Sequence, residues 1–305
     1  MKKNPKILVI IAHRGIGDLI YHLPLLRSLH ASFGQRLILI SNKVNNCHHV
    51  FKDEKFVKKI HYFNYTRLKF IEEVKKIFKF KKYLNSFNSD YIYLTSNATR
   101  MMIPVILSNA KNKIIFGRGA IPFTKENKYK YTTSSKKLFS YTKKLNLSKK
   151  IYNFNLTNNN SKKKHKKSIL INVDSHHNQN DWKLDNYIFL INNLLKKKFY
   201  IYINFKSKNF SKKIFSNIFS KSKKIKFTNN KNIGELIKII KECKYVVGNE
   251  SGPICLGSSL KRKVHALYIP THTEPESKLI NSGNKYYNVF KTSGKKMISK
   301  ILGAL

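Results

Sequence analysis

Acidic residues are scarce in this chain. The sequence has 15 Asp and Glu against 61 Lys and Arg in 305 residues, which gives a formal net charge of +46. A surface of this sign suits nucleic acid, anionic lipid or an acidic substrate. Lys, Asn, Ile, Phe and Tyr are abundant together, however, and AT-rich codons encode that set. Nucleotide bias is therefore a second origin of the charge, and both origins stay open at this point.

The shortage of carboxylates also argues against a metal site. Sites for hard divalent cations use paired carboxylates; the chain has no Asp-x-Asp motif, and Glu274-Pro275-Glu276 is its acid-x-acid segment. The pairs His48-His49 and His176-His177 are adjacent and lack the i, i+4 spacing of a zinc pair on a helix. We interpret them as surface histidines in loops, and we predict that no metal is bound.

Cysteines and long apolar runs are few as well. Cys47, Cys243 and Cys255 form no disulfide framework and no CxxC pair, which suits a reducing compartment, and Cys243 and Cys255 are predicted to be packing residues. The strongest early apolar run, ILVIIA at residues 7–12, is shorter than the about 20 residues of a spanning helix or the about 7–15 of a signal peptide. We therefore predict a buried first strand in a cytoplasmic protein.

Apolar residues make up 41% of the chain, enough for a substantial core. At about 100–200 residues per domain, the length suggests two domains. The polar, Asn-rich stretch at 153–167 separates two halves in which strand and helix patterns alternate. This alternation predicts an α/β protein with two Rossmann-like domains facing across a cleft, at residues 1–155 and 168–305 with a linker at 156–167.

The element predictions follow from apolar periodicity and breaker residues. Strands are predicted at 6–12, 37–40, 91–94, 113–116, 168–173, 199–205, 245–247 and 264–269, and helices at 19–29, 66–84, 185–198, 233–241 and 254–260. Pro24 is expected to kink the first helix or to lie near its first turns.

The first candidate motif, HRGIGD at residues 13–18, directly follows the first strand. Its glycines let the backbone turn tightly and approach a ligand. Asp18 opens the next helix, where it is either an acid that complements the helix dipole or a catalytic base. The spacing is not the G-x-G-x-x-G dinucleotide fingerprint.

The second candidate motif is VVGNESGPICL at residues 246–256. A strand ends here, and a helix begins near a proline that suits its first turn. The free N–H groups and the partial charge of about +0.5 at a helix start attract anions, to which Ser251 can add a hydroxyl. The turn therefore suits a diphosphate; a tight turn without a ligand is the alternative. Its candidate residues are Gly248, Asn249, Glu250, Ser251, Gly252 and Pro253.

The third motif surrounds Trp182, the single tryptophan of the chain. Trp182 follows a polar loop and precedes a predicted helix. It either walls a ligand pocket, with Lys183 reaching a phosphate, or packs in the core beside the start of the helix.

These segments together resemble glycosyltransferase family 9, the ADP-heptose:lipopolysaccharide heptosyltransferases. ILVIIAHRGIGDLIYHLPLLRSL is similar to the opening of that family, with its Gly-Asp loop and Pro-x-Leu-Arg-x-Leu helix. CKYVVGNESGPICLGSSLKRKVHALYIPT resembles the second family signature, Gly-Asn-Asp-Ser-Gly-Pro, and DWKLDNYIFLINNL resembles the central Trp-containing step. Glu250 stands where the family usually has Asp, Cys255 where His is common, and Asp181 where a basic residue usually precedes the tryptophan.

The resemblance implies a GT-B fold and an inverting, metal-independent transferase without a cofactor. Asp18 would be the general base, with Arg14, Gly15 and Gly17 in the loop beside the acceptor. The turn from Gly248, with Trp182 and Lys183, would hold the diphosphate of an ADP-linked sugar. The acceptor would be a lipid-anchored lipopolysaccharide core glycan, which implies a cytoplasmic protein that is peripheral at the inner face of the inner membrane, near anionic lipid.

Three alternatives remain beside this interpretation. A relative in the same class would use another nucleotide sugar. A nucleic-acid-binding protein would explain the charge, although no RRM, KH, helix-turn-helix or zinc-finger signature is present. A non-catalytic relative would suit Glu250 and Cys255 but not a retained Asp18.

Overall fold

The fold is known from a computed structural model that describes residues 4–12, 15–64, 70–96, 98–116, 138, 142–157, 167–173, 182–205, 210–229, 233–268, 276–281, 283–289 and 293–305. The chain divides into two compact units, Met1–Phe154 and Asn155–Leu305. Each unit has its own parallel sheet and its own core.

The N-terminal unit is a five-stranded sheet with helices between its strands. The strands are β1 (Ile7–Ile11), β2 (Leu37–Ser41), β3 (Val57–Tyr62), β4 (Tyr91–Leu94) and β5 (Asn112–Ile115), and the helices are α1 (Ile16–Phe33), α2 (Cys47–Phe51), α3 (Phe70–Asn85) and α4 (Thr99–Ile106). All strands are parallel, in the order β3-β2-β1-β4-β5. The central strand β1 is buried along its whole length, as its unbroken apolar run predicts.

The C-terminal unit repeats this plan with six strands. The strands are β6 (Ser168–Asn172), β7 (Tyr200–Phe205), β8 (Ile225–Asn229), β9 (Tyr245–Asn249), β10 (Lys263–Tyr268) and β11 (Lys285–Asn288), and the helices are α5 (Leu184–Lys196), α6 (Phe210–Phe219), α7 (Ile233–Glu242), α8 (Gly252–Ser259) and α9 (Gly294–Ala304). All are parallel, in the order β11-β10-β9-β6-β7-β8, which is the Rossmann strand order.

Several local features correct or refine what the sequence predicts. His48 and His49 lie in the short helix α2, not in a loop, and His176-His177 lies outside the described residues. Pro24 lies in the interior of α1 and not in its first turns. Lys183 is the N-cap of α5, so Asp185 falls in the first turn of that helix. Leu156, in the predicted linker, is buried, and its N–H donates to Ser259 O.

Buried polar groups fix several of these elements. Arg27 on α1 forms a two-pronged ion pair with the buried Glu54, with N–O distances of 3.0 and 2.9 Å, and also donates to Asn153 O. The ion pair joins α1 to the segment that precedes β3. All three cysteines lie in the described part of the chain, are buried and form no disulfide there, and the burial of Cys243 and Cys255 agrees with their prediction as packing residues. Burial raises the pKa of the Cys47 thiol to about 12. No described helix is both long and apolar enough to cross a membrane.

A buried histidine predicts how stability depends on pH. His265 on β10 is 2% exposed, and Nδ1 lies 2.9 Å from Tyr287 Oη. Burial lowers the pKa of His265 to about 4, with smaller effects from Lys285 and Lys263. Between about 4 and the usual value of 6.5 the unfolded chain binds more protons than the folded chain, so stability falls as pH decreases. We expect that His265 lowers the free energy of unfolding by about 2 kcal/mol when the pH falls from about 7 to about 5.

Urea unfolding of the wild type and His265→Gln at both pH values measures this effect. Glutamine keeps a polar side chain but does not titrate, so the variant should lose less stability than the wild type on acidification. Burial also lowers the pKa values of His49 and His61. Both histidines are present in the wild type and in the variant, so their contributions to the pH dependence cancel in the comparison. Equal losses in the two proteins would show that His265 does not cause the pH dependence.

Candidate active site

Both sequence-predicted sites lie at a point where strand order reverses. In the N-terminal unit the order reverses between β1 and β4, and in the C-terminal unit between β6 and β9. The loops that follow such a pair of strands run in opposite directions and open a crevice at the carboxyl edge of the sheet, where α/β proteins bind ligands. Asp18 follows β1, and the turn that begins at Gly248 lies at the end of β9.

Asp18 is held at the start of α1 by its own backbone. It is the third residue of the helix, and Oδ2 accepts from the N–H of the N-cap residue Gly15 at 3.0 Å. A Cβ at residue 15 would lie 2.7 Å from Oδ2, so glycine leaves room for the carboxylate. Within the described part of the chain, Oδ1 makes no hydrogen bond. The half-buried carboxylate therefore has one oxygen fixed and one available to a ligand.

A buried histidine supports the backbone of Asp18. His22, one turn along α1, donates from Nδ1 to Asp18 O at 2.6 Å. Its Nε2 lies 2.8 Å from the hydroxyl of Thr95, which also bonds to Ile10 O. This network ties the start of α1 to the ends of β1 and β4. Sequence analysis missed His22 and Thr95, because His22 lies among apolar helix residues and no motif marks either one.

Gly248 allows two strands of the C-terminal unit to approach closely. Its φ is +152°, which residues with a Cβ rarely adopt, and a Cβ would lie 2.1 Å from Asn172 O on β6. Gly257 has a similar role in α8, where a Cβ would lie 2.9 Å from Val246 on β9. These two glycines set how β9 and α8 pack around the turn.

Asparagines at the ends of three neighbouring strands hold the turn in place. Asn204 Nδ2 donates to Asn172 Oδ1 at 2.6 Å, and Asn172 Nδ2 donates to Ser251 Oγ at 3.0 Å. Ser251 Oγ in turn donates to Asn249 O at 2.8 Å. The hydroxyl proton of Ser251 is thus directed into the turn, so anion binding here depends on backbone N–H groups. The buried Asn249 donates from Nδ2 to Val173 O.

The N-terminus of α8 carries the groups that an anion needs. Ser251 is its N-cap, no described side chain caps it, and Pro253 lies in the first turn. The first N–H groups of a helix have no partner within the helix and carry partial positive charge. The structure therefore has a rigidly held amide-lined turn where the sequence predicted a diphosphate site.

The sequence profile of Glycosyltransferase family 9 (heptosyltransferase) matches residues 130–295, more than half of the chain. The chain belongs to glycosyltransferase family 9. It is a glycosyltransferase, as the sequence signatures predicted. No curated protein sequence is significantly similar to the chain.

Solved structures share the fold of this family 9 member at low sequence identity. A family 9 glycosyl transferase from Veillonella parvula DSM 2008 has a TM-score of 0.76 at 12% identity, covering 100% of this chain and 91% of its own. E. coli heptosyltransferase WaaC with ADP-2-deoxy-2-fluoro heptose gives 0.71 at 11%, covering 98% and 99%. E. coli ADP-heptose lps heptosyltransferase II gives 0.66 at 15%, covering 98% of each chain. The predicted GT-B fold of two Rossmann-like domains is confirmed.

The tryptophan segment of this family 9 chain is attached to the turn through its backbone. Trp182 N donates to Asn249 Oδ1 at 3.2 Å, while its ring is buried and packs edge-on against Tyr187. These contacts favour the packing interpretation of the ring. Lys183, the next residue, is exposed and has a cationic head that a phosphate can approach.

The departures from the family pattern have structural consequences. Glu250 Oε1 accepts from Ser277 N at 2.8 Å, which ties the turn to the 3-10 helix Glu276–Leu279. Cys255 is buried in the first half of α8. Of the other predicted residues, Gly17 lies half-buried in α1, while Arg14 and Asp181 lie outside the described residues.

Proposed function

We propose that this family 9 glycosyltransferase moves a heptose, or a similar sugar, from an ADP-linked donor to a hydroxyl of a lipopolysaccharide core or related glycan, with inversion at the anomeric carbon. The observation that carries the proposal is the amide-lined start of α8, held by Asn172 and Asn249 in the unit that the family signature covers. E. coli WaaC, a structural neighbour, has been solved with ADP.

In the proposed reaction, an acceptor hydroxyl attacks the anomeric carbon from the face opposite the diphosphate. The new C–O bond forms as the bond to the diphosphate oxygen breaks, and Asp18 takes the hydroxyl proton. The leaving diphosphate carries away the electron pair and gains negative charge. Backbone N–H groups at Ser251 and Gly252, with the cation of Lys183, stabilise that charge. Fixed dipoles and a lysine then do what a divalent cation does in metal-dependent transferases, so neither a metal nor a cofactor is proposed.

The units divide this work in the proposal. The C-terminal unit binds the donor, and the N-terminal unit binds the acceptor. A lipid-anchored acceptor would place the protein in the cytoplasm, peripheral at the inner face of the inner membrane. Glu250, Cys255 and Asp181 depart from the family pattern around the donor turn and favour one alternative, another nucleotide sugar.

A thermal-shift comparison of ADP, UDP and GDP tests the donor. We expect ADP to raise the melting temperature most, because a ligand at about 100 times its Kd adds about 2.7 kcal/mol to the stability of the folded state. The shift should shrink in Ser251→Ala, which loses the bond to Asn172. Ser293→Ala is the matched control: Ser293 caps α9, and its hydroxyl accepts from Lys296 N. Its loss should lower stability by about 1 kcal/mol without changing the ADP shift.

The same comparison can contradict the proposal in two ways. A larger shift with UDP or GDP would mean that the donor sugar is linked to that nucleotide and not to ADP. A chain that responds to none of the three would not be using a nucleotide sugar of these types, and the assignment of the turn would fail.

A further inference from the structure

Helix α3 exposes an apolar stripe that its own unit does not cover. Ile71 is 70% exposed, Phe78 57% and Val74 37%. At spacings of i, i+3 and i+7 these side chains lie on one side of a helix. Phe80 and Leu84 on the opposite side are buried in the core of the unit. The helix is thus anchored by one apolar face and presents a second one outward.

Lysines border the outward stripe along both of its edges. At 100° per residue, Lys75, Lys79 and Lys82 follow one edge of the stripe, and Lys81 follows the other. Lys75, Lys79 and Lys82 are exposed. The two acids, Glu72 and Glu73, are confined to the first turn, where they complement the helix dipole. The rest of the helix is therefore both basic and apolar on its outer side.

This combination selects one kind of partner. A merely solvated basic helix gains nothing from exposed Ile and Phe, and a phosphate backbone would use the lysines but not the apolar stripe. A helix lying in the plane of an anionic membrane uses both, because apolar side chains enter the boundary between headgroups and acyl chains while lysines contact the headgroups. We infer that α3 docks the protein on an anionic membrane surface, with Ile71, Val74 and Phe78 inserted.

The position of α3 in the sheet agrees with this function. Every strand of the N-terminal sheet is parallel, so the helices that follow β1 and β3 begin at the same edge of the sheet. That edge carries Asp18 at the start of α1. The N-terminal end of α3, where Ile71 lies, is therefore at the edge where the proposed base would meet a lipid-anchored acceptor. The inference rests on the proposed function only for the reason why the protein would dock on a membrane. Docking itself is measured without donor or acceptor.

Co-sedimentation with vesicles tests the docking surface. The wild type should bind phosphatidylcholine vesicles that contain phosphatidylglycerol far more tightly than vesicles of phosphatidylcholine alone. The double variant Ile71→Ser, Phe78→Ser should weaken this binding by at least about tenfold. The triple variant Lys75→Gln, Lys79→Gln, Lys82→Gln should weaken it by about a hundredfold, at about fivefold for each lysine.

Matched controls come from exposed residues of the C-terminal unit. Phe189→Ser with Ile218→Ser removes side chains that are 52% and 49% exposed, and Lys295→Gln, Lys296→Gln, Lys300→Gln removes three exposed lysines from α9. Both sets should bind vesicles like the wild type. As an independent readout, Phe78→Trp should show a blue shift of its added fluorescence with anionic vesicles only.

Several outcomes would overturn the inference. Equal losses in the α3 and α9 lysine variants would mean that diffuse charge drives binding. If the Ile71, Phe78 double variant bound vesicles as the wild type does, only the lysines would contribute to binding. That is the pattern expected for a nucleic-acid partner. Equal binding to neutral and anionic vesicles would exclude the lysine contacts. Sugar transfer to a soluble, lipid-free acceptor should persist in the α3 variants, so failed docking and failed transfer are distinguishable.

Discussion

Replacing Asp18 by Asn should lower kcat by about 10²–10⁴-fold, the range that a positioned general base contributes. Asparagine has nearly the same shape, and its side-chain oxygen can still accept from Gly15 N–H, so the start of α1 should persist. The variant cannot take the acceptor proton. Transfer assays over a range of donor and acceptor concentrations, together with calorimetric binding of ADP, should show a fall in kcat with unchanged ADP affinity.

Asp185→Asn provides the matched control for Asp18. Asp185 is also a carboxylate in the first turn of a helix, α5, and it is exposed. If first-turn acids mattered only through the helix dipole, both variants would lose a few tenths of a kcal/mol to about 1 kcal/mol of stability and neither would lose turnover. Near-normal turnover of Asp18→Asn would remove Asp18 from the role of base and leave its carboxylate a purely structural one.

The central strands could be predicted from the sequence because burial on both faces leaves an unbroken apolar run. ILVII in β1 and SILIN in β6 are of this kind, and both lie in the middle of their sheets. The edge strands β3, β8 and β11 escape the same reasoning, although apolar periodicity does predict the edge strand β5. In β3, VKKIHY, two lysines face solvent at the edge of the sheet. They interrupt the run of apolar residues by which a strand is recognised. Strands β8 and β11, also at sheet edges, were missed for the same reason.

The candidate site could be located from the sequence, but its supporting side chains could not. Glycine spacing pointed to Asp18 and to the Gly248 turn, because a tight turn between a strand and a helix needs glycines that lie close together in the sequence. The hydrogen bonds among Asn172, Asn204 and Ser251 join residues that are distant in the sequence and meet only through strand pairing. A signal was available: β6 and β9 both end in asparagine, and β7 has one next to its end.

Replacing Gly248 by Ala should damage the C-terminal unit and its donor turn together. The new methyl group would lie 2.1 Å from Asn172 O, a backbone atom that cannot rotate away, at a φ of +152°. Strain at such a φ costs about 1–3 kcal/mol and overpacking a further about 1–3 kcal/mol. We expect the free energy of unfolding to fall by about 2–6 kcal/mol. Moving β9 away from β6 would also break the Asn172–Ser251 bond, so the ADP thermal shift should vanish.

Two other glycines separate the causes of this loss. Gly303→Ala adds a methyl group to α9 with nothing within 4 Å, and it should leave stability nearly unchanged or raise it. Gly34→Ala meets no atom within 4 Å either but keeps a φ of +66°, so it should cost only about 1–2 kcal/mol, from backbone strain. Neither should alter the ADP shift. If Gly248→Ala behaves like Gly34→Ala in urea unfolding and still responds to ADP, the close approach of β9 to β6 does not shape the donor turn.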